Sequence, residues 1–280
     1  MATSFQQVLV HLDPTQSTPH RLAAAREIAG QQGAALAALY AGVPSFVELP
    51  YTPAVGPSLA ADLMALDEER RAGVRKAFAR AMTGAGPVAT WSQTSEVPLV
   101  GAFVQQALFA DLLVLGQHDP RDEAARSVPS HFVESVLATS GRPAVVVPST
   151  GWAAPVSDTV AIAWKETPEA ARAVTAAMPF LQRAAHVHIL TWGDPGETGV
   201  GGHRLDLDGY LKLHGVTAVW HRGGPEPAAL GELLLSRVFD LDADLLVMGC
   251  YGHGRAREWV LGGVSRTLLQ SMTLPLLLSH

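Results

Sequence analysis

Residues Asp244-Leu-Leu-Val-Met-Gly249-Cys-Tyr-Gly252-His-Gly254, followed by Gly262-Gly263-Val264-Ser265-Arg266, decide how this chain is read. The apolar run from Leu245 to Met248 is short, which suits a buried parallel strand. The glycines behind it permit backbone conformations and close ligand approach that side chains would block. Beyond Gly262, the residues Val264, Leu268, Leu269 and Met272 recur at helical spacing. Strand, glycine loop and helix start thus follow one another, and amides without intrahelical acceptors at such a start favour an anion.

Moving outward, the same pattern occurs twice. Asp111-Leu-Leu-Val-Leu-Gly116 matches Asp244-Leu-Leu-Val-Met-Gly249, the opening run Val8–Asp13 matches Val160–Lys165, and Pro143–Val147 matches Pro275–Ser279. The first copy is longer inside, between Gly42 and Gly84, where a proline-rich loop leads into a helical pattern over Leu59 to Met82. Each copy reads as alternating strand and helix. Strands are expected near Gln7–Leu12, Ala35–Tyr40, Val88–Ser92, Leu112–Gly116 and Ala144–Val147. In the second copy they are expected near Thr159–Ala163, His186–Trp192, Thr217–His221, Leu245–Met248 and Leu276–Leu278. Such alternation implies parallel sheets flanked by helices, because parallel neighbours need a crossover connection. The segment Pro148 to Asp158 is the natural linker, giving domains over 1–150 and 156–280.

Gly249-x2-Gly252-x9-Gly262, on a repeated β/α frame, resembles the nucleotide loop of the universal stress protein family. The resemblance covers nearly the whole chain, as a tandem two-domain member. It implies an α/β fold of two adenine-nucleotide α-hydrolase-like (Rossmann-like) domains, each a five-stranded parallel sheet, in a pseudo-twofold tandem. Family members pair through their last strands, which implies an intramolecular pseudo-dimer and leaves a further homodimer open. It also implies a stress-response role, with ATP or another phosphate-bearing ligand bound on Gly249, Gly252, Gly262 and Gly263, and Ser265 offering a hydroxyl. The chain departs from the family pattern in three places: Gly263 stands where a Ser or Thr meets the terminal phosphates, Lys165 stands where an acid is expected, and in the first copy Gly116 is followed by Gln117-His118-Asp119 with Ser130 and His131 at the later glycine positions. Asp13, with the turn Asp13-Pro14-Thr15, occupies the acidic position of the first copy. The nucleotide is therefore expected in the C-terminal domain only. Arg255, Arg257 and Arg266 lie in or beside its loop.

Bulk properties narrow the function classes. The chain has 280 residues, 48% of them hydrophobic, which is enough for two cores. A net charge of −6 with scattered Lys and Arg gives no footprint for nucleic acid. The apolar runs are too short to cross a bilayer, and Met1 to Asp13 lacks the pattern of a secretory signal, so a cytoplasmic, membrane-free protein is expected. The single cysteine, Cys250, excludes an intrachain disulfide and reads as a small buried residue, with redox sensing as the alternative. His186 and His188 alternate on one strand, but no third ligand accompanies them, so no metal is assigned. No phosphate-binding Gly-x-x-x-x-Gly-Lys-Ser/Thr loop and no catalytic set is present. The leading reading is a nucleotide-binding stress protein acting through conformation and partner contacts. A ligand-free structural or chaperone-like interaction protein and a weak ATP-hydrolysing enzyme are the competing readings.

Overall fold

The computed structural model describes residues 4–47, 56–152, 156–193, 205–250 and 263–280, which divide into the units Ser4–Ala153 and Ala154–His280. In the first unit β1 (Gln7–Leu12), β2 (Ala35–Ala41), β3 (Thr90–Thr94), β4 (Leu112–Gly116) and β5 (Ala144–Val147) alternate with α1 (Thr18–Gln32), α2 (Pro57–Ala81), α3 (Leu99–Ala107) and α4 (Phe132–Ser140). All its strand pairs are parallel, in the order β3-β2-β1-β4-β5. In the second unit β6 (Thr159–Ala163), β7 (His186–Thr191), β8 (Val219–Arg222), β9 (Leu245–Gly249) and β10 (Leu276–Ser279) alternate with α5 (Pro168–Leu181), α6 (Leu207–Leu213), α7 (Leu230–Asp240) and α8 (Gly263–Ser271). Its order, β10-β9-β6-β7-β8, is the same arrangement and again parallel. The fold class is therefore the expected one.

The central strands are apolar on both faces because helices cover both. Leu112 to Leu115 and Leu245 to Val247 are fully buried. Helix boundaries follow local chemistry: α1 ends on Gly33, left-handed at φ 66°, and α5 opens with the Thr167 hydroxyl accepting from the Ala170 amide ahead of Pro168. The repeated aspartate before Leu-Leu-Val has a structural role. Asp111 accepts the amides of Gln6 and Gln7 at 2.8 and 3.0 Å, and Asp244 accepts those of Ser157, Asp158 and Thr159 at 2.6, 2.8 and 2.9 Å. Each staples the entry of its unit's first strand to the neighbouring strand.

Two strands begin two residues later than the sequence suggests, β3 at Thr90 rather than Val88 and β8 at Val219 rather than Thr217. Both stand at an end of their unit's strand order, where one partner and partial solvation leave a weak apolar pattern. A short 3₁₀ turn, Glu123–Ser127, fills part of the first copy's altered glycine-loop region. The long helix α2 buries only Val74. It is tied to the preceding loop where the Asp67 carboxylate accepts from the Ser45 amide and hydroxyl.

Candidate functional site

The second unit has a cavity of about 260 Å³ at the carboxyl ends of its strands. Its floor is the end of β6 (Ala163, Trp164, Lys165) with Met248 and Gly249 of β9, and its sides are the first turns of α5 and α8. This is the point where the chain leaves β6 and β9 toward opposite ends of the sheet, so the two crossovers part and leave a crevice. The volume lies near the lower end of small-molecule sites, which run from roughly 300 Å³ upward.

The walls combine aromatic and charged groups. Trp164 and Trp192 line the cavity, and the Trp192 ring lies so close to Gly223 that a Cβ there would sit 1.8 Å from its Nε1. Lys165, in the position where an acid was expected, donates from Nζ to Glu226 at 2.9 Å, and both line the cavity. A carboxylate thus reaches this rim from the chain ahead of α7. Glu169 is the second acid. Its own backbone amide, joined by Thr167 and Arg172, holds its carboxyl below the usual range.

Each sequence-predicted residue has a definite place. Gly249 ends β9, and an added Cβ would lie 2.4 Å from the Ala170 amide nitrogen, so glycine is required for the α5 backbone to approach. Gly263 opens α8 with no atom within 4 Å of the position of an added Cβ, and Ser265 is buried one turn in. Gly249, Gly263 and Ser265 all line the cavity. The first-turn amides of α8 have no intrahelical acceptors and are donors of the kind that phosphate uses. Gly252 and Gly262, with Arg255 and Arg257, lie outside the described residues. Arg266 is exposed. Cys250 is buried, donates its amide to the Ser279 carbonyl at 2.9 Å, and burial pushes its thiol up to about 12, which fits the reading of a small buried residue.

In the first unit the acid at the equivalent position is engaged from within, beside a cavity of about 220 Å³ lined by Thr15, Ser17, Gln117, Asp119, Arg121 and Asp122. Asp13 receives a bidentate pair from Arg21 of α1, Nη2 to Oδ1 at 2.8 Å and Nη1 to Oδ2 at 3.0 Å, with Arg21 only 2% exposed. Thr15 donates from its amide at 3.0 Å and also from its hydroxyl, and Thr18 adds its hydroxyl at 3.0 Å. Arg21 also donates to His11 Nδ1 at 3.3 Å, so His11 carries its proton on Nε2, which donates to the Ala41 carbonyl at 2.8 Å. The guanidinium lies against Gly116, where an added Cβ would be 2.6 Å from Nη1. The first unit's acid therefore has its acceptor sites taken. Although burial opposes it, the Arg21 charge leads the effects holding the Asp13 carboxyl well below the carboxylate range. Burial lowers His11 to about 4. Sequence reasoning missed Arg21 because an arginine one turn into a helix reads as a solvated residue.

Among the described residues no helix is long and apolar enough to cross a membrane, and no three His, Cys, Asp or Glu side chains gather as a metal site. No family model matches the chain, and no curated protein matches it. Solved structures do. A universal stress protein from Archaeoglobus fulgidus DSM 4304 is 14% identical, with 98% of this chain and 95% of that one covered at a TM-score of 0.67. A protein of unknown function from Pseudomonas aeruginosa PAO1 is 16% identical, with 98% and 92% covered at a TM-score of 0.60. At these identities the likeness is one of fold, and it runs the full length of the chain.

Proposed function

We propose that the chain is a stress-response protein of the universal stress protein type, which binds ATP or another phosphate-bearing nucleotide in its C-terminal unit and acts by conformation and partner contacts rather than turnover. The observation that carries this reading is the contrast between the two copies. At one switch point there is an open cavity with two tryptophans, a carboxylate and a helix start. At the other a guanidinium holds the acid, and the cavity beside it is lined by no tryptophan and carries Asp119 and Asp122, which oppose a phosphate. Trp164 or Trp192 offers a face for a base, Glu226 an acceptor for sugar hydroxyls, and Gly263 with Ser265 the donors for phosphate.

Lys165 is the cation of the rim. Paired with Glu226, it fixes that carboxylate; released, it adds charge toward a phosphate. Isothermal titration with ATP, ADP and AMP tests the reading. One site per chain supports it, and no heat up to millimolar nucleotide contradicts it. A steady release of ADP would instead favour an enzyme.

A further inference from the structure

A second cluster lies on β7 and β8, beside a cavity that shares Leu190 and Trp192 with the one just described. The sequence draws attention to His186 and His188 along one strand, but the structure pairs His188 with His221 across two strands. The register sets His188 beside Val219 and Leu190 beside His221, so the two imidazoles meet diagonally on one face of the sheet. Nδ1 of His188 is 3.1 Å from Nε2 of His221, with ring centroids 5.1 Å apart and planes at 53°. Both rings are half-buried. His221 also lines a cavity of about 230 Å³ with Trp192, Gly223, Arg237 and Asp240, which gives the pair a path to solvent.

We propose that His188 and His221 form a two-imidazole chelate for a divalent transition-metal ion of the copper, nickel and zinc class. The spacing carries the inference. Two nitrogens bound at about 2.0–2.1 Å in a tetrahedral shell stand roughly 3.3 Å apart, so the observed separation needs only a small ring rotation to accept an ion between them. Imidazole is a ligand suited to these metals, and the affinity order at such sites favours copper. Neutral rings are the ligating form.

In the metal-free pair one ring donates to the other. On binding, that ring carries its proton on its other nitrogen, so the exchange needs no net proton release. Three ligands do not gather among the described residues, so solvent completes the shell; Asp240, on the same cavity wall, is paired with Arg237 at 3.7 Å and is not counted as a ligand.

The test uses the full chain, stripped with a chelator and titrated with Zn²⁺ against a competing indicator and with Cu²⁺ under glycine competition. His188→Gln and His221→Gln are each expected to weaken binding at least tenfold, while His186→Gln leaves it unchanged. The Cu²⁺ resonance spectrum is expected to lose one nitrogen coupling in each of the first two variants. Circular dichroism melts confirm that the variants fold, as expected for half-exposed positions. Wild-type affinity in both His188→Gln and His221→Gln, or no metal bound by the unmodified chain under these conditions, would overturn the proposal.

Discussion

Replacing Arg21 with Met probes the engaged acid of the first unit most severely. Arg21 and Asp13 are 2% and 4% exposed and joined by two hydrogen bonds of 2.8 and 3.0 Å. Removing the guanidinium leaves a buried carboxylate whose remaining donors are neutral: the Thr15 amide and the Thr15 and Thr18 hydroxyls. Breaking a buried pair from one side costs about 3–5 kcal/mol, because the surviving charge is uncompensated. One feature of the site reduces that cost: Arg21 Nε is buried without a partner, so the native pair already carries a desolvation penalty. The lower half of the range, about 3–4 kcal/mol, is therefore expected. For a unit of this size that corresponds to roughly 6–16 °C in Tm. Urea denaturation followed by a probe in the first unit is the assay, alongside the double variant Arg21→Met with Asp13→Asn. The double variant removes both charges and should recover most of the loss. A cost under about 1 kcal/mol for Arg21→Met, or a double variant less stable than the single one, would refute the reasoning.

Acid should act on the same cluster. His11 is depressed to about 4 from 6.5, so its contribution is full above pH 6.5 and is lost as pH falls toward about 4, at about 1.4 kcal/mol per unit and roughly 3 kcal/mol in all. Asp13, also depressed, adds a further loss below 3.8; equal urea midpoints at pH 7 and pH 4.5 would contradict the His11 assignment, and no further fall below pH 3.8 the Asp13 one. Asp244→Ala removes the acceptor of three amides and should cost the second unit about 1.5–3 kcal/mol by denaturation. Gly263→Ser meets open space and should leave stability unchanged while tightening ATP by about tenfold or more, from one hydrogen bond to a charged group, as read by calorimetry. Weaker binding in that variant would count against the placing of the phosphates.

Much of the fold was legible because its strongest signals are local and repeated. Leu112–Gly116 and Leu245–Met248 are continuous apolar runs between an aspartate and a glycine, and each forms a central strand. Thr90–Thr94 and Val219–Arg222 were displaced because an end strand with one partner need not be apolar. At the site, Gly249, Gly263 and Ser265 were indicated by the family resemblance of the glycine loop, and they do line one cavity. Trp192, Glu226, Leu230 and Leu234 were not, since they reach it from the chain after β7, the chain ahead of α7 and α7 itself only once the sheet is assembled. Arg21 and the pairing of His188 with His221 were hidden for the same reason. A single arginine or histidine has no periodicity to betray it, and its partner is chosen by strand register and helix packing.

The central claim is that the chain holds one nucleotide, at the second unit's switch point. Methionine-methyl NMR during an ATP titration tests it most directly, because Met248 lines the cavity while Met64 and Met82 belong to the first unit. The account predicts saturation at one site per chain with the Met248 resonance shifting and those of Met64 and Met82 unmoved. Two equivalent sites, a shift confined to first-unit methionines, or no response at millimolar ATP would contradict it.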